Sequence, residues 1–403
     1  MKSFLKTALV LAGMIAWGAG EARAQINPST SSLFPLSIDA PGSAGVEPAA
    51  YNARATDGSR VSLVGYMPQS AWSQDAVEQT APCDALESCD SSKGMWYGSL
   101  MALAMTRNRA PALWTTTASN DPLDLRMNTQ NAGADWAGGG QVNVAYAWRG
   151  CGGPAVAFTY WGLTPMNGSA SVSDITGNPA TALSSTIGFG STLINGLPAS
   201  TYFNNAQEQA IWRRDRTDNF EMNVQSGTYT TGNLQVAGLM GFRYFRFSDS
   251  LTYGSASFGN SFTSNGGGDA AYLNFQCHNS LYGGQLGAIL SSLMTRRVTV
   301  FAVPKVGVYG NTMVDLQQIY GGSTVNSPVS YFHTNKTDVS VLSELDTGVT
   351  WACNANVKII CGYRVISVTN LALADNQFGA YNHVEQSGSL ILHGAFLGFT
   401  WLL

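Results

Sequence analysis

Apolar and polar residues alternate along many stretches of the chain between residue 95 and the C-terminus. The clearest stretch is residues 141–149, where one face carries Val142, Val144, Tyr146 and Trp148. The opposite face carries Gln141, Asn143 and Arg149. A period of two residues puts successive side chains on opposite sides of a β-strand. The pattern therefore predicts strands that have one apolar face and one polar face.

The alternating stretches come in pairs that are separated by turn residues. Residues 219–225 and 235–244 flank a turn rich in Ser, Thr and Gly at 226–233. Residues 338–351 and 357–365 form a second such pair. Two alternating segments joined by turn residues predict a β-hairpin. The predicted fold class is therefore all-β.

The lengths of the strands and of their connections favour a membrane barrel over a β-sandwich. Most segments are about ten residues long, which is the length that a tilted strand needs to cross a bilayer. If the first strand runs outward from the periplasm, the connections at one end are short, namely 150–154, 226–233, 278–280, 310–312 and 353–355. The connections at the other end are long apart from 293–296, namely 107–138, 164–217, 248–268, 320–336 and 370–388.

Short periplasmic turns and long extracellular loops are typical of outer-membrane barrels. The chain is thus predicted to form a transmembrane, antiparallel, up-and-down β-barrel of about twelve strands. Residues 181–193 within the 164–217 loop could form a further strand pair, which makes about fourteen strands the alternative.

The last segment, Ser389 to Leu403, has the pattern of the strand that closes the barrel. Leu397, Phe399, Trp401 and Leu403 share one face, which we expect to contact lipid. Phe399, Trp401 and Leu403 are the candidate signal for the barrel-assembly machinery, although the terminal residue is Leu rather than an aromatic one.

The N-terminus has the pattern of a cleaved signal peptide at residues 1–24. Lys2 and Lys6 precede a short apolar run, and Ala22 and Ala24 form a small-x-small cleavage site. Residues 25–92 lack periodicity and are predicted to be an irregular periplasmic extension, with a plug of the lumen as the alternative. Residues 93–403 would then be the barrel, in the outer membrane of a Gram-negative cell.

Composition narrows the class of protein further. Charged residues make up 11% of the chain, against about 25% in typical globular proteins. No apolar run after the signal peptide is long enough for a transmembrane helix. The net charge of −4 and the lack of a basic run make nucleic acid an unsuitable partner.

Cysteines and histidines supply no cofactor or metal motif. Cys83 and Cys89 are the candidate disulfide, because export permits disulfides and the two lie close in sequence. Cys353 and Cys361 would be roughly 15 Å apart on a hairpin, too far for a bond. No zinc spacing, HExxH, GxSxG or Walker motif occurs. A catalytic pair formed by Asp121 or Asp124 with His333 or His383 is supported by residue type alone. We therefore expect no enzyme activity.

Charged residues on the inward faces are the candidate lining of the lumen. They are Glu221, Arg243, Lys305, Glu344, Asp346, Lys358 and Arg364. Charged rings can select solutes in a pore. The alternative is a salt-bridge network that fills the lumen, because buried charges must be paired. Hairpin counting sets Arg364 nearly opposite Glu344 and Asp346.

The densest charge cluster is residues 213–218, at the end of a long predicted loop. Three interpretations are open for it. The cluster could line a loop that folds into the pore, bind anionic lipid headgroups at the outer surface, or form a solvated loop end.

Several blocks in order resemble the outer-membrane family named beta barrel porin, type seven. The stretch LMGFRYFRFSDSL from Leu239 to Leu251 resembles its central block, and residues 221–223 resemble the strand before it. The stretch NSLYGGQLG from Asn279 to Gly287 resembles another block. Residues 362–364 and 393–398 resemble its last two strands, so the likeness extends over most of residues 95–403. The resemblance implies an outer-membrane barrel.

Together these observations predict a porin-like passive channel for small polar solutes. The alternative is a non-conducting structural or surface-interaction barrel that displays its long loops. The expected partners are outer-membrane lipid and, during insertion, the barrel-assembly machinery. Oligomerisation is left open, because no feature of the sequence decides it.

Overall fold

The computed structural model describes residues 94–402, apart from short gaps, together with the backbone of Ser62–Leu63. The gaps are residues 110, 120, 149–152, 175–181, 190, 195, 259–261, 263–269, 322–327, 355 and 380–382. The predicted signal peptide, Cys83, Cys89 and Leu403 lie outside the described residues, as does all of the predicted extension except Ser62–Leu63.

The described chain is almost entirely β-structure. In chain order its strands are β1 (Ser62–Leu63), β2 (Met95–Arg107), β3 (Trp114–Ala118), β4 (Asp121–Asn128), β5 (Ala137–Ala147), β6 (Ala155–Leu163), β7 (Met166–Ser173), β8 (Leu183–Ser185), β9 (Leu193–Ile194), β10 (Leu197–Pro198), β11 (Ala206–Gln225), β12 (Gly227–Thr231), β13 (Leu234–Ser257), β14 (Ala270–Thr295), β15 (Val298–Gly321), β16 (Ser330–Ala352), β17 (Val357–Leu371) and β18 (Gly388–Leu402). A short helix, α1, spans Ser200–Phe203, and 3-10 turns span Thr129–Ala132 and Ala374–Asn376.

Ten of these strands form a closed antiparallel ring within the described residues. The ring runs β2, β5, β6, β11, β13, β14, β15, β16, β17, β18 and back to β2. The last strand closes it, with Phe399 opposite Leu100 and Leu392 opposite Arg107. The fold is thus an all-β antiparallel barrel, as predicted.

The ring has ten strands rather than about twelve because two predicted turns lie within continuous strands. Asn279 pairs with both Phe247 and Met313, so residues 278–280 form part of β14. Residues 310–312 likewise lie inside β15. The polar and glycine residues there resemble turn residues but serve strand packing. At Gly283, for example, a Cβ atom would lie 2.2 Å from the carbonyl oxygen of Val308.

Because those two turns are absent, the connection predicted at 293–296 lies at the opposite end of the barrel from the one expected. It therefore joins the other short connections. The connection between β14 and β15 becomes a short turn at residues 296–297. It lies at the same end as the connections 148–154, 226–233 and 353–356. The other end carries the connections 108–136, 164–205, 258–269, 322–329 and 372–387, which are all longer than those of the first end except 322–329, whose eight residues equal the length of 226–233. We call these ends the short-turn end and the long-loop end.

Additional short strands extend the sheet beyond the ring. β7 follows β6 along the same side of β11 and pairs with its residues 208–215, which lie nearer the long-loop end. β11 therefore begins at Ala206 rather than near residue 218. β3, β4 and β8 form a small sheet at the long-loop end, joined to β11 at Ala206. β1 pairs with β12 at the short-turn end.

The outer surface of the barrel changes from apolar to polar along the strands. Near the short-turn end it exposes an apolar belt that includes Leu100, Val144, Phe158, Phe220, Met222, Phe242, Tyr244, Leu286, Val308, Val341, Tyr363 and Phe399. Towards the long-loop end polar residues become frequent at the outward positions, with Asp218 and Arg246 on β11 and β13, Ser280 on β14 and Thr312 on β15. Apolar residues also occur there, namely Trp212 on β11 and Val314 and Leu316 on β15. β11, β13, β14 and β15 continue for about ten residues beyond this boundary. No helix in the described part of the chain is long and apolar enough to cross a membrane.

Candidate functional site in the barrel lumen

Six of the seven predicted lumen residues meet in one cluster, which we call the central network. It consists of Glu221, Arg243, Lys305, Glu344, Asp346 and Arg364, and each of them is almost fully buried. They lie on β11, β13, β15, β16 and β17. The period of two along each strand directs these side chains inward, while their neighbours Phe220, Phe242 and Val306 are exposed outside.

The central network joins strands that are not neighbours in the ring. The Arg243 guanidinium on β13 donates to Glu221 on β11 and to Glu344 on β16, both at 2.5 Å. The Lys305 ammonium on β15 lies 3.1 Å from Glu221 and 2.5 Å from Glu344. Arg243 and Glu221 are direct partners on neighbouring strands, as are Lys305 and Glu344. The contacts of Arg243 with Glu344 and of Lys305 with Glu221 each join strands that are three apart in the ring, so these two cross the lumen.

Arg364 anchors the other side of the network. Its Nε and Nη2 atoms donate to the two carboxylate oxygens of Asp346, both at 2.7 Å. This is the paired geometry in which a guanidinium binds a carboxylate most strongly. The hairpin prediction placed the two residues nearly opposite, and they are direct partners in the register. Nη1 donates to Gln141 on β5 at 2.9 Å, again three strands away.

Neutral polar and aromatic groups complete the shell around the central network. The Gln285 amide donates to Glu221 at 2.9 Å, and the Tyr309 hydroxyl donates to the Gln285 carbonyl at 3.3 Å. Asn219 and Asn223 donate to the two oxygens of Glu221. The Arg364 guanidinium stacks over Trp161 and Phe396. These contacts stabilise the charges of Glu221 and Arg364, which would otherwise be costly to bury.

The charges of the central network balance. It contains three cations and three carboxylates, and every one of them has at least one oppositely charged partner. The seventh predicted residue, Lys358, also points inward and is buried. It lies apart from the network, nearer the short turns and opposite Ala352 and Thr400.

A second cluster, which we call the upper network, lies closer to the long-loop end. Arg107 lies 2.9 Å from Asp215 and 3.6 Å from Asp249. Arg213 lies 3.2 Å from Asp249 and 2.5 Å from Asp375. All five side chains are buried. This network has two cations against three carboxyl groups, so its charges do not balance when all of them are ionised.

Sequence reasoning missed most of the upper network. It placed Arg213 and Asp215 in a loop, but both lie in β11 and share the inward face with Glu221. The signal was present, because residues 213, 215, 217, 219 and 221 are all polar at a period of two. Asp375 had no such signal, since it lies in the connection between β17 and β18.

The described parts of that connection, residues 372–379 and 383–387, fold into the mouth of the barrel, and we call them the mouth loop. The Ala374 amide donates to Asp249 at 3.0 Å. Asn279 on β14 bonds both the amide and the carbonyl of Ala372. Gln377 fixes the loop internally through the carbonyls of Leu373 and Glu385 and the amide of Glu385. The mouth loop is thus held to the barrel wall rather than projecting from it.

Apolar side chains fill the lumen above and below the ionic layers. Trp161, Phe245, Phe247, Leu281 and Leu392 belong to one buried cluster. A second cluster near the long-loop end contains Phe203 of α1, Tyr253, Phe275, Cys277 and Val384. Cys277 has a free thiol. The lumen therefore alternates between apolar and ionic layers along its length.

The remaining candidate residues lie at the surface. Cys353 and Cys361 are exposed free thiols. Phe399 is exposed on the outer face of β18, and Trp401 lies beside it on the same face. Asp124 pairs with Arg126, and no hydrogen bond or ion pair in the described chain joins Asp121 or Asp124 to a histidine. The described residues therefore do not bring the weak Asp/His candidates together.

Comparisons with known proteins return only distant likenesses. No protein-family model matches the chain, and no curated protein matches its sequence. Among solved structures, it is similar to the outer membrane protease OmpT from Escherichia coli, with 10% identity and a TM-score of 0.40, over 78% of this chain and 98% of that one. It is also similar to a major outer membrane protein from Thermus thermophilus, with 11% identity and a TM-score of 0.27, over 76% and 99% of the two chains.

A third similar structure is the toluene transporter TodX from Pseudomonas putida. The two chains have 7% sequence identity and a TM-score of 0.21, over 80% of this chain and 94% of that one. These neighbours are outer-membrane β-barrel proteins. The description of this chain as an antiparallel barrel rests on its own strand register.

Proposed function

We propose that the protein is an outer-membrane β-barrel whose lumen is closed and which does not conduct solutes. The observation that carries this proposal is the central network, whose contacts link strands three apart across the ring. Ions and water would have to break several charge-assisted hydrogen bonds to pass this layer. The upper network and the mouth loop add two further obstacles.

The outer surface supports the membrane part of this proposal. The apolar belt encircles the barrel and ends at a polar boundary, as expected for strands that cross a bilayer with one face in lipid. Short turns then mark the periplasmic side and long loops the extracellular side. The polar extension of β11, β13, β14 and β15 would stand above the outer leaflet and be displayed to the environment.

The passive channel predicted from the sequence receives less support than its alternative. A barrel of about eight strands is filled by its side chains, whereas about sixteen strands leave an aqueous channel. A ring of ten strands lies near the filled end of this range, and the side chains of both ionic networks and of the two apolar clusters are buried. The resemblance of the sequence to the family beta barrel porin, type seven, supports the outer-membrane part of the proposal. It does not decide between a channel and a closed barrel, because a fold alone does not establish an activity. We propose no enzymatic role.

Planar-bilayer recording on the refolded full chain tests the proposal. We expect no conductance steps from protein whose band on SDS gels shifts on boiling, which shows that it is folded. The matched variant is the double substitution Arg243→Ala with Glu344→Ala, which removes one of the three contacts across the lumen and keeps the charges of the network balanced. This variant should produce brief or small openings if the network is what closes the lumen.

Reproducible ion-selective steps from the folded wild-type protein would overturn the closed-lumen proposal. If such steps shift in selectivity in Glu344→Gln and Asp346→Asn, the porin alternative would be supported instead. Silence of the folded wild type together with openings in the double variant would support the proposal.

A further inference from the structure

The charge cluster at residues 213–218 divides between the two faces of β11. Arg213 and Asp215 point inward to the upper network, whereas Arg214 and Arg216 point outward and are exposed. Arg246 on the neighbouring strand β13 is also outward and exposed. We call Arg214, Arg216 and Arg246 the arginine patch.

The strand register brings the three guanidinium groups of the patch onto one small area. Arg216 lies opposite Ser248, and Arg246 is the next outward residue along β13. Such diagonal neighbours on adjacent strands lie about 7–8 Å apart, within reach of long side chains. Arg214 lies two residues further along β11 on the same face. All three could therefore contact one ligand group or two adjacent ones.

The height of the patch on the barrel is its second distinguishing feature. Phe220 pairs with Tyr244, and both are exposed members of the apolar belt. Arg246 is the first outward residue beyond Tyr244, and Arg216 is the second beyond Phe220. The patch thus lies at the boundary where lipid tails give way to headgroups if the belt is embedded in a membrane.

The patch has an excess of positive charge on a chain that is negative overall. Asp218 is its acidic neighbour and lies 3.3 Å from Arg216, in an exposed pair. Within the described residues, Arg214 and Arg246 form no ion pair. Three arginines and one aspartate give the patch a formal charge of +2, while the whole chain carries −4. The outward positions Ser280 and Thr312 at the same level of the barrel are uncharged.

Polar groups above the patch extend the surface that a headgroup could contact. An open cleft of about 790 Å³ lies between β11, β13 and the loop residues 130–135. It is lined by Arg214, Trp212, Ser169, Ser250 and Thr252, and also by the charged residues Arg109, Asp135 and Arg213. Hydroxyl groups and an indole ring are suited to the polar, hydroxylated part of a headgroup next to its phosphate. The cleft and the patch form a continuous surface through Arg214.

We propose that the arginine patch binds the phosphate of a lipid headgroup in the outer leaflet. Guanidinium groups match phosphate oxygens through paired hydrogen bonds, and partial removal of water at a membrane surface strengthens such contacts. This inference rests on the proposed function, since it requires the apolar belt to lie in a membrane.

Native mass spectrometry of the full, refolded chain in detergent tests the inference. The probes are dioleoyl phosphatidic acid, which has a phosphate monoester, and dioleoyl phosphatidylcholine, whose phosphate is masked by choline. We expect wild type to bind phosphatidic acid in preference to phosphatidylcholine. The triple variant Arg214→Gln, Arg216→Gln and Arg246→Gln should bind phosphatidic acid at least about tenfold more weakly, because several charge-assisted contacts are lost.

The charge-matched control removes three cations elsewhere on the surface, by Arg296→Gln, Arg297→Gln and Lys336→Gln. It should change the affinity by less than about twofold. The triple Arg→Lys variant of the patch keeps the charge but loses the fork geometry, and an intermediate affinity is expected. Each variant is first required to show the heat-dependent band shift of a folded barrel.

Equal binding of phosphatidic acid by the triple Gln variant and the control variant would overturn the inference. So would displacement of the lipid by an equal concentration of inorganic phosphate, because a free anion would then be sufficient. Failure of the proposed function is measured separately. Conductance of the wild type would reject the closed lumen while leaving the lipid measurement unaffected.

Discussion

The two ionic networks of the lumen differ in charge balance and in what holds them. The central network pairs three cations with three carboxylates, and all six belong to barrel strands. The upper network sets two arginines against three carboxyl groups. One of those carboxyl groups, that of Asp375, belongs to the mouth loop rather than to a strand.

This difference implies different responses to perturbation. Strand residues of the central network are fixed by ladders of hydrogen bonds on both sides, so their separation requires the barrel to deform. The contact between Arg213 and Asp375 can be lost when the mouth loop alone moves. Regions that open locally tend to depend on few contacts with the rest of the fold. The central network should therefore govern global stability, and the upper network the opening of the mouth.

The largest effect is expected from Glu344→Gln. Glu344 lies within 4 Å of all three cations of the central network, namely Arg243, Lys305 and Arg364, so its loss leaves excess positive charge in a fully buried layer. Loss of one partner of a buried ionic pair typically destabilises a protein by about 3–5 kcal/mol. Urea unfolding in lipid or detergent should show a decrease of this size.

The matched control for that change is Glu208→Gln, the same substitution at a partly exposed position on β11. Its effect should stay within about 0.5 kcal/mol. Equal unfolding midpoints for Glu344→Gln and Glu208→Gln would show that the central network does not hold the barrel together.

Asp375→Asn should have a smaller and more local effect. The substitution weakens the contact with Arg213 but leaves the carboxyl groups of Asp215 and Asp249 beside the two arginines. A charge-assisted hydrogen bond contributes about 1.5–3 kcal/mol, and ionisation of Asp215 in the variant offsets part of this loss. We expect a loss of about 1–2 kcal/mol in the free energy that keeps the mouth loop in place.

The Cys277 thiol provides the measurement for Asp375→Asn, because it is buried beside Asp249 in the strand register. With the other five cysteines replaced by serine, maleimide labelling of Cys277 should become about tenfold faster in Asp375→Asn. The control, Asp124→Asn, removes an exposed carboxylate at the long-loop end. An unchanged labelling rate in Asp375→Asn would argue that other contacts hold the loop.

The contrast between the two networks also explains how much the sequence could predict. Glu221, Arg243, Lys305, Glu344, Asp346 and Arg364 lie in regular alternating strands, so their shared inward face follows from a period of two. The pairing of Asp346 with Arg364 follows from the short turn between β16 and β17. Local pattern and turn length were sufficient in this region.

Contacts of the upper network could not be predicted in the same way. Arg213 and Asp375 are 162 residues apart in sequence, and their contact depends on how a loop folds back. Loop conformation has no periodic signal. The strand count was too high for a related reason, because Asn279 and Gly283 resemble turn residues in isolation, and only the neighbouring strands show that β14 is continuous.

Gln377→Ala tests the hydrogen bonds within the mouth loop while it leaves the ion pair between Arg213 and Asp375 in place. The Gln377 side chain bonds the Leu373 and Glu385 carbonyls and the Glu385 amide, and Gln377 is fully buried. Loss of these contacts should destabilise the loop by about 1 kcal/mol. Hydrogen exchange of residues 374–379 should become faster, while exchange in β16 stays unchanged. Faster exchange in β16 as well would contradict the local character of this support.

The smallest effect is expected from a rise in pH that removes a proton from Asp215. This residue lies in the part of β11 that extends beyond the apolar belt. Burial raises the pKa of the Asp215 carboxyl against the opposing effect of Arg107, and the charge of Asp249 raises it further. The folded protein then keeps a proton on Asp215 at pH values where the unfolded protein has lost it. Stability of this region should therefore decrease as pH rises from the ordinary aspartate pKa to the raised one.

After correction for the intrinsic dependence of hydrogen exchange on pH, the mouth loop should exchange faster at the upper end of that range. Asp215→Asn removes the titrating group and should abolish this dependence, whereas Asp124→Asn should preserve it. A pH dependence that persists in Asp215→Asn would assign it to another group and weaken the argument that the excess carboxyl group distinguishes the two networks.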